Sequence, residues 1–149
     1  MDNPNTLPSN RAVLAGVIDP DAATAATYTT GWISMADFGS IQAVIMAGTL
    51  GTSATLDAKL EQASDGSGTG AKDITGKAIT QLTQGGTDSD KQAIINCRAE
   101  ELDVDNSFTH VRLSVTVGTA TSDVAAFVLG HDARYAPADD ISTVDEVVS

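Results

Sequence analysis

The sequence predicts an all-β protein, an antiparallel β-sandwich of jelly-roll type carrying an extended arm at each end. Three observations carry that prediction. Over residues 109–117 the odd positions read Thr109, Val111, Leu113, Val115 and Val117, and the even ones His110, Arg112, Ser114 and Thr116. A period of two, rich in β-branched side chains, marks a strand with one buried and one wet face. The alternation recurs over 54–61, where Ala54, Leu56, Ala58 and Leu60 interleave with Thr55, Asp57, Lys59 and Glu61. Finally, seven or eight short segments of this kind are separated by Gly, Asp, Ser and Thr turns with no long helical pattern, the spacing expected of a sandwich or jelly roll.

Residues 1–10 hold Pro4 and Pro8 among Asn, Thr and Ser and read as an N-terminal arm. Residues 11–18 (RAVLAGVI) read as a first strand, ended by Asp19-Pro20-Asp21, and the Ala/Thr-rich stretch 22–30 is ambiguous. Residues 30–36 (TGWISMA) predict a strand and Asp37-Phe38-Gly39-Ser40 a turn. The continuous apolar run 41–47 (IQAVIMA) predicts a buried strand stopped by Gly48. Over 54–61 a strand is preferred to a helix, because Gly51 and Asp65-Gly66 flank the alternation.

Loops are expected at 64–70 (SDGSGTG) and 84–90 (QGGTDSD), with a partly alternating segment at 74–82 between them. Residues 93–99 (AIINCRA) predict a strand, and 100–108 (EELDVDNSF) a polar turn leading into the 109–117 strand. After turn chemistry at 118–123, the apolar run 124–129 predicts a core strand between Asp123 and Gly130. These last two strands read as a β-hairpin in the middle of a sheet, with Val111, Leu113, Val115 and Val117 facing the core beside Val124 and Phe127. Residues 131–149 change character, with Pro137, five acids and no alternation, and read as a C-terminal arm. The expected organisation is an arm over 1–10, one sandwich domain over 11–130 and an arm over 131–149.

Composition narrows the functional classes. Apolar residues make up 42% and charged ones 19%, an ordinary globular balance. Twenty Asp and Glu face eight Lys and Arg, a net charge of −12. Such a surface repels phosphate backbones and anionic membranes and favours partners with a basic face. Aromatics are scarce at 4%, so a sugar-stacking platform has little to be built from. A lone Cys97 allows no internal disulfide, and no stretch has the pattern of a signal peptide or membrane span. The expectation is a soluble protein assembled in a cytoplasm.

No catalytic, cofactor or metal site emerges from the motifs, so the chain is expected not to be an enzyme. Cys97 lies among Ile94, Ile95 and Asn96, the setting of a small buried apolar residue rather than a nucleophile. His110 and His131 lack the companions a zinc site needs. The loops Asp65-Gly66-Ser67-Gly68-Thr69-Gly70 and Asp103-Val104-Asp105-Asn106 are compatible with calcium, but Phe108 and Ser114 stand where a calcium loop needs glycine and glutamate. Asx turns account for both loops. His110 and Arg112 on a strand's polar face are candidate interface residues. Tyr135, Ile141, Val144, Val147 and Val148 join them, because a solvated tail seldom keeps that many large apolar side chains.

The run from Gly48 to Leu60, the stretch from Gly70 to Ile79, the segment Lys91-Gln92-Ala93-Ile94-Ile95-Asn96 and the segment from Phe108 to Val115 resemble small virion proteins encoded near the capsid genes of tailed bacteriophages. The similarity spans roughly residues 11–137 and lies in overall pattern. It implies a capsid decoration (cement) protein, a homotrimer that binds the major capsid protein non-covalently on the capsid exterior and stabilises the shell. It brings no catalytic residues. The alternatives are a head fibre or spike base, a head–tail or tail component, and a receptor- or glycan-binding β-module.

Overall fold

The computed structural model describes residues 6–135 and 137–149 and is built from two packed antiparallel sheets. A single helical turn, α1 (Pro8–Arg11), leads into β1 (Ala12–Ala23). The chain continues through β2 (Ala26–Thr29), β3 (Ile33–Ser34), β4 (Phe38–Ala47), β5 (Thr55–Ala63), β6 (Lys72–Ala78), β7 (Leu82–Thr83), β8 (Gln92–Arg98), β9 (His110–Gly118) and β10 (Ser122–Ala133). Two 3₁₀ turns, Ala99–Glu101 and Val104–Asn106, fill the connection from β8 to β9. One sheet has the order β1-β10-β4-β8. The other has the order β2-β9-β5-β6, with β3 also pairing β9 and β7 also pairing β5.

The pairings are nested. β1 pairs β10, β2 pairs β9, β4 pairs β8 and β5 pairs β6, so the chain is one long antiparallel ribbon whose tip is the loop between β5 and β6. The ribbon is rolled over so that β10 also meets β4 and β9 also meets β5. That double Greek-key winding is a jelly roll, as the sequence predicts.

The predicted hairpin is corrected by this winding. β9 and β10 lie in opposite sheets, and the chain between them turns a corner at the rim of the sandwich. Gly118 sits so tightly at this corner that a Cβ there would lie 2.3 Å from the Thr55 hydroxyl oxygen. Thr119 has φ 71°, the Ala120 N–H donates to the Gly118 carbonyl at 2.9 Å, and the buried Ser122 hydroxyl receives the Gly51 N–H at 3.1 Å. The physical reason lies in the two apolar faces. Val111, Leu113, Val115 and Val117 are each at most 2% exposed and need an opposing layer, which Val124, Ala126 and Val128 help to form.

Phe127 is the second correction. It pairs with Val17 on one side and Val44 on the other and is half-buried, with its side chain on the outward face of the sheet. A run apolar at every position carries no periodicity that would choose its buried side. The buried corner residue Ser122 sets the phase.

Smaller departures have local causes. Asp19-Pro20-Asp21 does not end β1, which continues to Ala23. β1 is an edge strand, and the register shift between Ile18 and Asp21 places Pro20 in a bulge, where a missing N–H is tolerated. Of 30–36 only Ile33–Ser34 forms strand, and β4 begins at Phe38 inside the predicted turn. Phe38 is buried, and it fills the space where a Cβ on Gly130 would come within 2.5 Å of its ring.

Past β10 the chain folds back along the β1 edge. The Ile141 N–H donates to the Leu14 carbonyl at 2.9 Å, and the Leu14 N–H donates to Asp140 Oδ1 at 2.6 Å. Ala138 packs against the core. This segment covers part of an edge that would otherwise offer unpaired backbone groups. On the far side of the sandwich Lys77 Nζ reaches across to donate to the Asn96 carbonyl at 2.8 Å, where β8 ends its sheet.

Candidate interaction surfaces

The two outward sheet faces differ in chemistry. On the β2-β9-β5-β6 sheet, alternation directs Lys59 and Glu61 of β5 and Arg112 of β9 outward, and register brings them together. Glu61 lies opposite Arg112, whose Nε donates to Glu61 Oε2 at 2.7 Å. Lys59 pairs with Asp73 at 2.6 Å and with Glu61 at 3.5 Å. The hydrogen bond to Asp73, helped by the charges of Asp73 and Glu61, raises the Lys59 pKa above its ordinary value. Gln81 completes the face by donating to Asp57 Oδ2 at 2.8 Å. Lys59, Glu61 and Arg112 are thus matched to one another or to Asp73 within the chain.

Trp32 belongs to this face. The Arg112 guanidinium carbon stands 4.5 Å from its ring centroid, and a Cβ on Gly68 would lie 2.7 Å from its Nε1. One ring face is therefore covered by a cation and the indole nitrogen edge by loop backbone. Phe108 lies beneath Lys72 at 4.2 Å, Phe38 is buried, and Tyr28 is half-buried with its hydroxyl bonded to the Thr24 carbonyl. Only Tyr135 is highly exposed among the described aromatics, at 76%.

The Asp-bearing loops fold around their own carboxylates. Asp65 Oδ1 accepts the Ser67 and Thr69 N–H groups at 2.9 and 3.1 Å, an Asx turn. Hydrogen bonding, from Thr69 first, holds the Asp65 pKa below the ordinary carboxylate value. Asp103 accepts from Lys72 and from Asn106 Nδ2, and the Lys72 hydrogen bond is the main cause of its lowered pKa. Cys97 is 1% exposed, and burial pushes its thiol up to about 11. A thiol so rarely ionised is a poor nucleophile.

The candidate interface residues fall into two groups. His110 and Arg112 are half-buried on β9, with His110 Nδ1 2.8 Å from the Thr109 hydroxyl. Ile141 and Val144 are half-buried in the segment that lies along β1, whereas Val147 and Val148 are exposed. Beside these contacts a pocket of about 430 Å³ opens between the segment and the sandwich, lined by Phe38, Ile33, Ser34 and Tyr135 among others. Ser34 links the two groups, since it also pairs with His110.

What sequence reading missed is the outward face of the β1-β10-β4-β8 sheet. Register places Val17, Phe127, Val44 and Ile94 in one row across all four strands. Ile94 is 57% exposed and Met46, one row away, is 42% exposed. The available signal was the shortage of polar alternates, with Gln42 alone in 41–47 and none in 124–129.

No family model matches the chain, and neither does any curated protein. Among solved structures it is similar to a chain of the Cowpea mosaic virus top component, the naturally occurring empty particles, at 12% identity and a TM-score of 0.38, over 100% of this chain and 98% of the other. It is also similar to the carbohydrate-binding module TmCBM61, solved in complex with β-1,4-galactotriose, at 8% identity and a TM-score of 0.36, over 87% of this chain and 100% of that one. Likeness at this level carries no functional argument, and the jelly-roll description rests on the strand order itself.

Proposed function

We propose that this chain is a structural protein of a virus particle, and specifically a decoration protein on the outside of a tailed-phage capsid that binds the assembled shell non-covalently and stabilises it. The observation that carries the reading is the engagement of its reactive groups. Among the described residues, Cys97 is buried and un-ionised, the Asp65 and Asp103 carboxylates hold their own loops together, and Trp32 carries Arg112 on one ring face and Gly68 at its nitrogen edge. A protein whose functional groups serve its own fold acts through its surface. The patterned resemblance to tailed-phage virion proteins supplies the context, and the acidic surface suits the outside of a shell better than a DNA-facing interior.

A glycan-binding reading is disfavoured by the scarcity of open aromatic faces, since Tyr135 alone is highly exposed among the described aromatics and stacking needs such faces. The deciding experiment mixes the purified protein with assembled shells made without it and measures co-sedimentation and stoichiometry. A decoration protein saturates at a copy number comparable to that of the shell protein. Saturation at a few tens of copies would assign a spike or connector instead, and absence of binding would retire the shell-binding reading.

A further inference from the structure

Resting on the shell-binding reading, we propose that the outward face of the β1-β10-β4-β8 sheet is the docking face, and that it takes a protein surface with an apolar centre and a Lys/Arg border. The face is organised around the row Val17, Phe127, Val44 and Ile94, whose members are adjacent in the strand ladder. Leu14 and Leu129 extend it in one direction and Ala125 and Met46 in the other. Neutral Gln42, Asn96 and Gln92 accompany them on β4 and β8, so its middle carries no charge. The opposite sheet presents Lys59, Glu61 and Arg112 already paired with one another or with Asp73. A partner that covers an apolar face removes it from water, whereas one covering the charged face must strip solvent from ions that are already matched.

The border states the partner's charge. At the Met46 end a groove of about 410 Å³ is lined by Met46 and Ala125 together with Asp21 and Asp123. Asp90 stands at the same end, its N–H bonded to the Gly48 carbonyl at 3.0 Å. Among the described residues none of these three carboxylates has an ion-pair partner. A second copy of this chain does not fit that border. It brings the same three acids and a net charge of −12 of its own, so two such borders repel each other.

Area points the same way. Four strands at about 4.8 Å spacing and five residues at about 3.4 Å give roughly 300 Å² of apolar face. A stable pairwise complex buries about 800 Å² on each partner. One such face holds a solitary partner weakly, and lasting attachment comes from several copies or further contacts on a repeating surface.

The experiment measures binding to assembled shells made without this protein, using Ile94→Glu, Met46→Glu, the triple variant D21N/D90N/D123N, and Thr27→Glu on the opposite sheet as control. Each variant is first shown to melt near the wild-type temperature. Ile94→Glu and Met46→Glu are expected to weaken binding by about tenfold or more, since each buries an unpaired charge at the contact. The triple variant is expected to weaken it less and to flatten its salt dependence, and Thr27→Glu to leave it unchanged. Wild-type binding that survives both glutamates would overturn the docking face and leave the function standing. A wild-type dimer that Ile94→Glu splits, with shell binding unaffected, would make a second copy the occupant and overturn the proposal. Wild-type protein that binds no shell would overturn both readings together.

Discussion

Leu113→Ala tests the packing of the two layers most directly. Leu113 is fully buried at the centre of β9, opposite the equally buried Leu60 on β5, with Val111 and Val115 buried on either side. Neighbours held in two ladders cannot collapse into the space left behind, so the cost falls in the middle of the usual Leu→Ala range, about 3 kcal/mol. For a chain of this length each kcal/mol moves Tm by about 2–4 °C, so a loss of about 6–12 °C is expected. Arg112→Ala, one residue away, removes a half-exposed contact to Glu61 and the stacking on Trp32, worth about 1 kcal/mol and about 2–4 °C. Thermal and urea unfolding of both variants measures the difference, with an unchanged m-value confirming that stability alone has moved. If Arg112→Ala costs as much as Leu113→Ala, the assignment of buried and wet faces on β9 is wrong.

Three further outcomes follow from local geometry. Gly51→Ala would place a Cβ 2.3 Å from the Thr121 carbonyl oxygen, so it should destabilise by about 1–3 kcal/mol, whereas Gly85→Ala, which meets nothing within 4 Å, should be neutral or slightly stabilising in the same urea titration. Asp65, Asp88 and Asp103 have pKa values below the ordinary 3.8 in the folded chain, through hydrogen bonds from Thr69, Lys91 and Lys72 respectively. Their contribution is complete above the unfolded value and lost as pH falls through the folded one, so these groups should leave Tm level above about pH 5 and lower it below about pH 4 in melts across that range. Cys97 should resist a thiol reagent in the native protein at pH 8 and react fully in guanidinium, and rapid native labelling would refute its place in the core.

The C-terminal residues illustrate how far composition reaches. Tyr135, Ile141, Val144, Val147 and Val148 are conspicuous in the sequence as apolar residues in a polar tail, yet they differ in environment. Ile141 and Val144 are half-buried where the segment meets β1, and the other three are exposed. That meeting depends on Leu14, more than a hundred residues away in the chain, and on an edge strand whose free backbone no local pattern reveals.

By itself the sequence determined the all-β class, the loops around Asp65 and Asp103, and the buried faces of β5 and β9, because alternation is a local property and a one-residue shift would turn every leucine to water. It also determined that Cys97 would be an inert core residue. Tertiary structure alone decided that β9 and β10 belong to opposite sheets, that Phe127 faces outward, and that Val17, Phe127, Val44 and Ile94 form one row. Those facts depend on pairings between residues such as Val17 and Phe127, more than a hundred positions apart. Uniformly apolar strands have no period from which to read their faces, so only the closed ribbon, anchored at corners such as Ser122, chooses which side meets the core.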